Sequence, residues 1–151
     1  MLHLFHKSVL SDGEIDLTPV RYQSVDRELG FGRERIWVIS LHGSREEIGQ
    51  ISYRDGESKY VYYFGHIGYH IDPPWRGRHF AFKACRLIRS IILISGKTNI
   101  VITCDPDNYP SKKTCEKLGC RYESAVEVPE SIRKRYEISS KKLRYIWQIS
   151  R

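Results

Sequence analysis

The chain has 151 residues, enough for one packed core, and its 40% hydrophobic and 28% charged content is that of a globular domain. The longest aliphatic run, Ile91 to Ile94, falls far short of the roughly 18 residues that span a bilayer. Met1 to Leu10 lacks the apolar stretch of a secretory signal. No membrane contact is expected, and the expected compartment is the cytosol. The net charge of +7 admits a nucleic-acid partner, but the excess is local. Six basic residues (Arg76, Arg78, Lys83, Arg86, Arg89, Lys97) and no Asp or Glu lie between Pro73 and Cys104. Lys112 with Lys113, and the run from Arg133 to Arg144, form two further groups. So compact a patch suits a small polyanion at least as well as a duplex. Cys85, Cys104, Cys115 and Cys120 are irregularly spaced and include no CxxC pair. They read as reduced, mostly buried thiols, and no metal site is expected.

No repeat, low-complexity tract or linker interrupts the chain, so residues 1–151 are expected to form a single domain. Residues 14–22 read as a strand on Ile15, Leu17 and Val20. Residues 23–33 read as a polar loop with a short helical turn. Glu34 to Leu41 and Ile48 to Arg54 alternate as strands around a His42-Gly43-Ser44 turn, and Asp55-Gly56 reads as a hairpin turn. Tyr60 to Ile71 reads as a third, aromatic-rich strand. Asp72-Pro73-Pro74 then ends the strand pattern. Phe80, Ala84, Leu87, Ile88 and Ile91 recur at helical spacing, which predicts an amphipathic helix from about His79 to Ile94, closed by Gly96. Ile100 to Cys104 has the continuous apolar pattern of a buried strand. Asn108 offers an N-cap for a helix over Tyr109 to Leu118 that ends at Gly119. Tyr122 to Val128 is a strand, Pro129 to Tyr136 a helical turn, and Leu143 to Ile149 the last strand. Antiparallel strands followed by strand–helix–strand–helix–strand argue for an α+β (mixed α/β) fold, with a crossover helix on a mostly antiparallel sheet.

Chemistry concentrates between Gly65 and Ala84. There a strand ends, a loop turns and a helix begins, and the unpaired N–H groups of a helix N-terminus can hold a pyrophosphate. The run Arg76-Gly77-Arg78-His79-Phe80-Ala81 resembles the phosphate-binding loop of the GNAT superfamily of acetyl-coenzyme A-dependent N-acetyltransferases, with His79 where that family usually has glycine. The run Asn108-Tyr109-Pro110-Ser111-Lys112-Lys113-Thr114-Cys115-Glu116-Lys117-Leu118-Gly119-Cys120 resembles the same family's following helix. With Asp72-Pro73, the pattern looks most like the ribosomal-protein (RimJ/RimL-like) branch. The resemblance implies a splayed sheet of about six to seven strands flanked by helices. It also implies acetyl-CoA as cosubstrate and direct acetyl transfer to an amine, of a small molecule or a peptide N-terminus. Backbone groups of Tyr69, His70 and Ile71 would pair with pantetheine as an added strand. Backbone N–H groups of Arg76, Gly77, Arg78, His79, Phe80 and Ala81 would bind pyrophosphate. Asn108 would hydrogen-bond the pantetheine arm, and Ser111 would lie beside it.

The catalytic groups are less defined. Relatives commonly place a tyrosine acid where Cys115 stands, so Cys115 is a candidate donor, with a packed helical cysteine as the alternative. His66 and His70 are candidate bases that would share one strand face, because imidazole titrates near neutrality. Glu47 lies on a neighbouring strand, and Tyr145 on the last strand is a candidate for the acceptor pocket. A His79 side chain is compatible with phosphate binding if the residue keeps right-handed helical φ/ψ. GxSxG, HExxH and GxxxxGKS/T patterns are absent. A non-catalytic coenzyme A-binding module and, less favoured, a nucleic-acid binder stacking bases on Trp75, Phe80 and Tyr69 are the alternatives. A sheet edge leaves room for a homodimer.

Overall fold

The structure, a computed structural model, describes residues 8–20, 25–26 (backbone only) and 29–150. In chain order the strands are β1 (Leu10–Ser11), β2 (Ile15–Pro19), β3 (Val25–Asp26), β4 (Gly32–Leu41) and β5 (Glu47–Arg54). Helix α1 (Lys59–Phe64) precedes β6 (Ile67–Ile71), and α2 (Phe80–Ile94) connects it to β7 (Asn99–Cys104). Then come α3 (Tyr109–Lys117), β8 (Arg121–Glu127), α4 (Glu130–Tyr136) and β9 (Lys141–Gln148). Most expected ends agree with these within a residue or two; the strand expected over residues 14–22 runs Ile15–Pro19, with residues 21–22 outside the described set, and two other places are considered below.

Every ladder among the described residues is antiparallel. One sheet runs β1-β2-β4-β5-β6, with β3 also on β4; the other runs β7-β9-β8. The registers follow the alternation of the sequence. Trp37 stands opposite Ile51, both are buried, and the polar partners Glu34 and Arg54 fall on the other face with a 2.9 Å ion pair. Helix α2 buries Phe80, Ala84, Cys85, Ile88 and Ile92 along one stripe, packed on β2, β5 and β6. Phe80, Ile88 and Ile92 each contribute roughly 1.5–3 kcal/mol by leaving water.

The two sheets do not share a ladder; they meet at His66. Its backbone N–H donates to Val101 O at 2.8 Å, and the Val101 N–H donates to His66 Nδ1 at 2.9 Å. Beyond this foot β6 has a partner on the β5 side alone, and a wedge opens between β6 and β7.

Tyr60 to Ile71 is not one strand. Ser58 Oγ accepts from Tyr60 N and Val61 N and caps a helix, which Gly65 closes at φ 81°. The aromatic run that reads as β instead stacks at helical spacing, for Tyr60 and Phe64 both meet Tyr136 of α4 edge-on at 5.7 and 5.8 Å. Tertiary aromatic packing overrides the strand preference. Asp55-Gly56 is likewise not a hairpin turn. The Asp55 carboxylate accepts from Arg33 N at 2.8 Å, and Gly56 N donates to Phe31 O at 2.8 Å. Gly56 is required by close approach, since a Cβ there would lie 2.4 Å from Gly30 O and Gly32 N. Of the loop expected over residues 23–33, residues 23–24 and 27–28 lie outside the described set. Val25–Asp26 pairs with Gly32 and Arg33 as strand.

Candidate functional site

The free edge of β6 is the first component. Asp72 N donates to Ile48 O and Arg54 N donates to His66 O, both at 2.8 Å. These bonds fix the phase of the β5–β6 ladder: His70 directs its backbone to β5, and Tyr69 and Ile71 direct theirs into the wedge. One of those groups is engaged, because Arg76 Nε donates to Ile71 O at 2.8 Å. Tyr69 and Ile71, but not His70, therefore carry the exposed strand edge.

The second component is the start of α2. No side chain caps it, so the first-turn N–H groups point outward with the positive end of the helix dipole. The loop before it reaches that point through two left-handed residues, Gly77 at φ 84° and His79 at φ 63°, ψ 23°. His79 therefore does not meet the condition of right-handed helical φ/ψ set out for a side chain at this position. The chain enters α2 from a left-handed corner, a geometry in which glycine carries no Cβ penalty.

Helix α3 is the third. Asn108 Oδ1 caps it by accepting from Ser111 N at 3.2 Å, so its capping role is real. From the opposite wall of the wedge, the Tyr69 and Ser111 hydroxyls meet at 2.6 Å. Burial pushes the Tyr69 phenol well above its ordinary value. The β6 edge, the α2 start and the α3 face enclose a cleft of about 820 Å³ lined by Tyr69, His70, Ile71, Arg76, Gly77, His79, Phe80, Ala81, Asn108 and Ser111. Arg78 is not part of that lining; its guanidinium lies 5.3 Å from the Trp75 ring. Tyr109, Lys113, Glu116 and Lys117 also line the cleft. Sequence reasoning missed these, although their i, i+4, i+7, i+8 spacing marks one face of α3.

The candidate catalytic residues separate. His70 lines the cleft with its side chain 62% exposed, 3.3 Å from Asp72. His66 is 4% exposed and lies outside the lining. Because the Val101 N–H donates to Nδ1, the proton sits on Nε2, which donates to Glu57 Oε1 at 2.7 Å. Burial lowers the His66 pKa against the pull of Glu57. The two candidate bases thus differ in environment: His66 is a buried bridge between the sheets, and His70 faces solvent. Cys115 is fully buried, and its contact with Cys120, reinforced by burial, pushes its thiol far up. Tyr145 is 8% exposed and packs edge-on to Tyr122 at 5.5 Å. Neither lines the cleft. Glu47 is exposed at the start of β5 and does not line it either.

Part of the basic run is structural. Lys83 pairs with Glu14 and Arg89 donates to Ile149 O, while Arg86 and Lys117 flank the Phe82 ring. Among the described residues, no group of three or more His, Cys, Asp or Glu is arranged to hold a metal. No described helix is long and apolar enough to cross a membrane.

Residues 12–121 match the family described as the acetyltransferase (GNAT) domain. The chain belongs to the GNAT acetyltransferase family. Similar solved structures include a probable GNAT-family acetyltransferase from Chromobacterium violaceum, 13% identical, with a TM-score of 0.66 over 95% of this chain and 87% of that one. Mycobacterium smegmatis RimJ in complex with CoA-disulfide is 17% identical, with a TM-score of 0.65 over 94% and 88%. The microcin C7 self-immunity acetyltransferase MccE, in complex with acetyl-CoA and AMP, is 20% identical, with a TM-score of 0.58 over 76% of this chain but 61% of that one. At such identities the likeness is one of fold. No curated protein matches the sequence significantly. In this GNAT domain the family match contains the whole cleft and ends as β8 begins, so α4 and β9 lie beyond it. The residues present fit a coenzyme A thioester: an unpaired strand edge suits an amide-bearing arm, and an uncapped helix start suits phosphate.

Proposed function

We propose that this GNAT protein transfers an acetyl group from acetyl-CoA directly to the amine of a small molecule or a peptide N-terminus. The observation that carries the reading is the convergence of a free β6 edge and an uncapped α2 N-terminus on one cleft of about 820 Å³. Backbone N–H groups from Arg76 to Ala81 would hold the pyrophosphate, with Lys113 and Lys117 nearby as counter-charge. Tyr69 and Ile71 would bond the pantetheine amides, and the Asn108 side chain retains its NH2 donors for the same arm.

The thioester supplies an activated acyl group, so the protein's own work is to position the amine, take its proton and favour departure of sulfur. His70 is the proton acceptor this reading favours over His66, because it borders the cleft while the His66 ring is engaged at both nitrogens. Saturable protection by acetyl-CoA in a thermal melt, together with free-thiol release over a panel of peptides and polyamines, tests the proposal. No thermal shift at millimolar acetyl-CoA would overturn it. A shift without thiol release for any amine would leave a coenzyme-binding module.

A further inference from the structure

Two thiols that the cleft does not use meet at the end of α3. Gly119, left-handed at φ 79°, turns the chain back on the helix. The Cys120 N–H donates to Cys115 O at 2.9 Å, and the Gly119 N–H donates to Glu116 O at 3.0 Å. These two bonds make a Schellman stop, in which the residue after the glycine folds back and its side chain rests on the last helical turn. That contact is commonly hydrophobic; here both side chains are cysteines. The Cys115 and Cys120 thiols share a hydrogen bond.

Geometry and access single out this pair among the four cysteines. The backbone bond at 2.9 Å holds the Cα atoms of Cys115 and Cys120 within about 7 Å of each other, the limit beyond which a disulfide cannot close without backbone movement. Cys115 is fully buried, whereas Cys120 is only partly buried at the margin of the core. A small solute therefore reaches Cys120 first. Cys85 and Cys104 are buried on α2 and β7 and lie outside the turn. We propose that Cys115 and Cys120 form a reactive dithiol that hydrogen peroxide oxidises to a disulfide across the turn between α3 and β8.

The Cys120 sulfur attacks one peroxide oxygen; the O–O bond breaks, water leaves and a sulfenic acid remains. The Cys115 sulfur then attacks the Cys120 sulfur. An S–S bond forms, the S–O bond breaks, and the hydroxyl departs as water with the Cys115 proton. Two thiols and one hydrogen peroxide thus give one disulfide and two waters, with two electrons passing from sulfur to oxygen. The contact sets the order of attack, because the Cys115 S–H donates to the Cys120 sulfur and holds the Cys120 thiol below its ordinary value. The bridge lies on the core side of α3, while Lys113, Glu116 and Lys117 line the cleft. Oxidation pins the turn beneath the cleft wall and leaves the lining face free.

The test exposes the whole folded protein to a slight excess of hydrogen peroxide, alkylates the remaining thiols in denaturant and digests without reduction for mass spectrometry. Trypsin cuts after Lys83, Arg86, Lys97, Lys112, Lys113, Lys117 and Arg121, so each of the four cysteines falls on its own peptide. The expected product joins peptide 114–117 to peptide 118–121, two hydrogens lighter than their sum, and dithiothreitol separates them. The alkylatable thiols fall from four to two. Cys120→Ser is expected to yield no bridged peptide, and Cys115→Ala to stop at a Cys120 sulfenic acid that dimedone traps. Four alkylated thiols after peroxide overturn the proposal. So does a bridge from Cys120 to Cys85 or Cys104, or a sulfenic acid that persists on Cys120 in the wild type.

Discussion

Replacing His66 by alanine is the most informative perturbation of the fold, because one ring joins the two sheets. Its removal leaves the Val101 N–H, in a residue 9% exposed, without an acceptor, at about 1–3 kcal/mol. The lost bond to Glu57 contributes under about 1 kcal/mol, since that carboxylate is 67% exposed. The void left by the ring adds roughly 1–2 kcal/mol. A total near 3 kcal/mol lowers Tm by about 6–12 °C for a chain of this size. The pH dependence supplies an independent check. Burial holds the folded His66 pKa below its ordinary 6.5, so the neutral ring's contribution is fully present above about pH 6.5. It is lost as pH falls through the window below that value, where the unfolded chain binds a proton that the folded protein does not. Urea denaturation at pH 5 to 8 should therefore show His66→Ala less stable than wild type at pH 7.5, with the gap narrowing toward pH 5. An unchanged midpoint, or a gap constant across that range, would refute the bridging role.

Other substitutions probe local geometry. His79→Gly relieves a left-handed Cβ penalty of about 1–2 kcal/mol, offset by about 0.4–1 kcal/mol of added unfolded-chain entropy, so a net gain of about 0.5–1 kcal/mol should raise Tm by about 1–4 °C in calorimetry; a lower Tm would contradict that conformation. Ser58→Ala deletes both the α1 cap and the 2.7 Å bond to Leu29 O, with an expected loss of about 1–2 kcal/mol of unfolding free energy measured by urea denaturation. Gly56→Ala forces a Cβ onto backbone atoms 2.4 Å away and should destabilise by about 2–3 kcal/mol or abolish expression of folded protein. His70→Ala should reduce thiol release from acetyl-CoA by about 10²-fold or more while leaving the acetyl-CoA-dependent thermal shift intact.

Much of the site was legible because its signals are local. The helical period from Phe80, the Asn108 cap and the break at Asp72-Pro73-Pro74 each act within a few residues, and each element formed where its spacing placed it. The loop before α2 and the helix after β7, singled out by their motifs, both line the cleft. The misread segments are those whose partners lie far away in sequence. Lys59–Phe64 became a helix, for which the local signs were Ser58 and Gly65, and it packs its aromatic rings on Tyr136, more than seventy residues on. Gly56 reads as a turn residue because its contact, the Gly30–Gly32 backbone, belongs to the distant segment that leads into β4.

The same distinction runs through the chemistry. The motif resemblance, carried by residue types and their spacing, implied which backbone groups would meet a phosphate and a pantetheine arm. Ladder phase decided that Tyr69 and Ile71, rather than His70, face the wedge, since one residue of register exchanges every backbone group between the two edges. Tertiary structure also placed the His66 ring between two sheets and set the Tyr69 hydroxyl against Ser111 across forty-two positions of chain. Side-chain environments of that kind depend on which elements pack together, and no short-range pattern in the sequence specifies them.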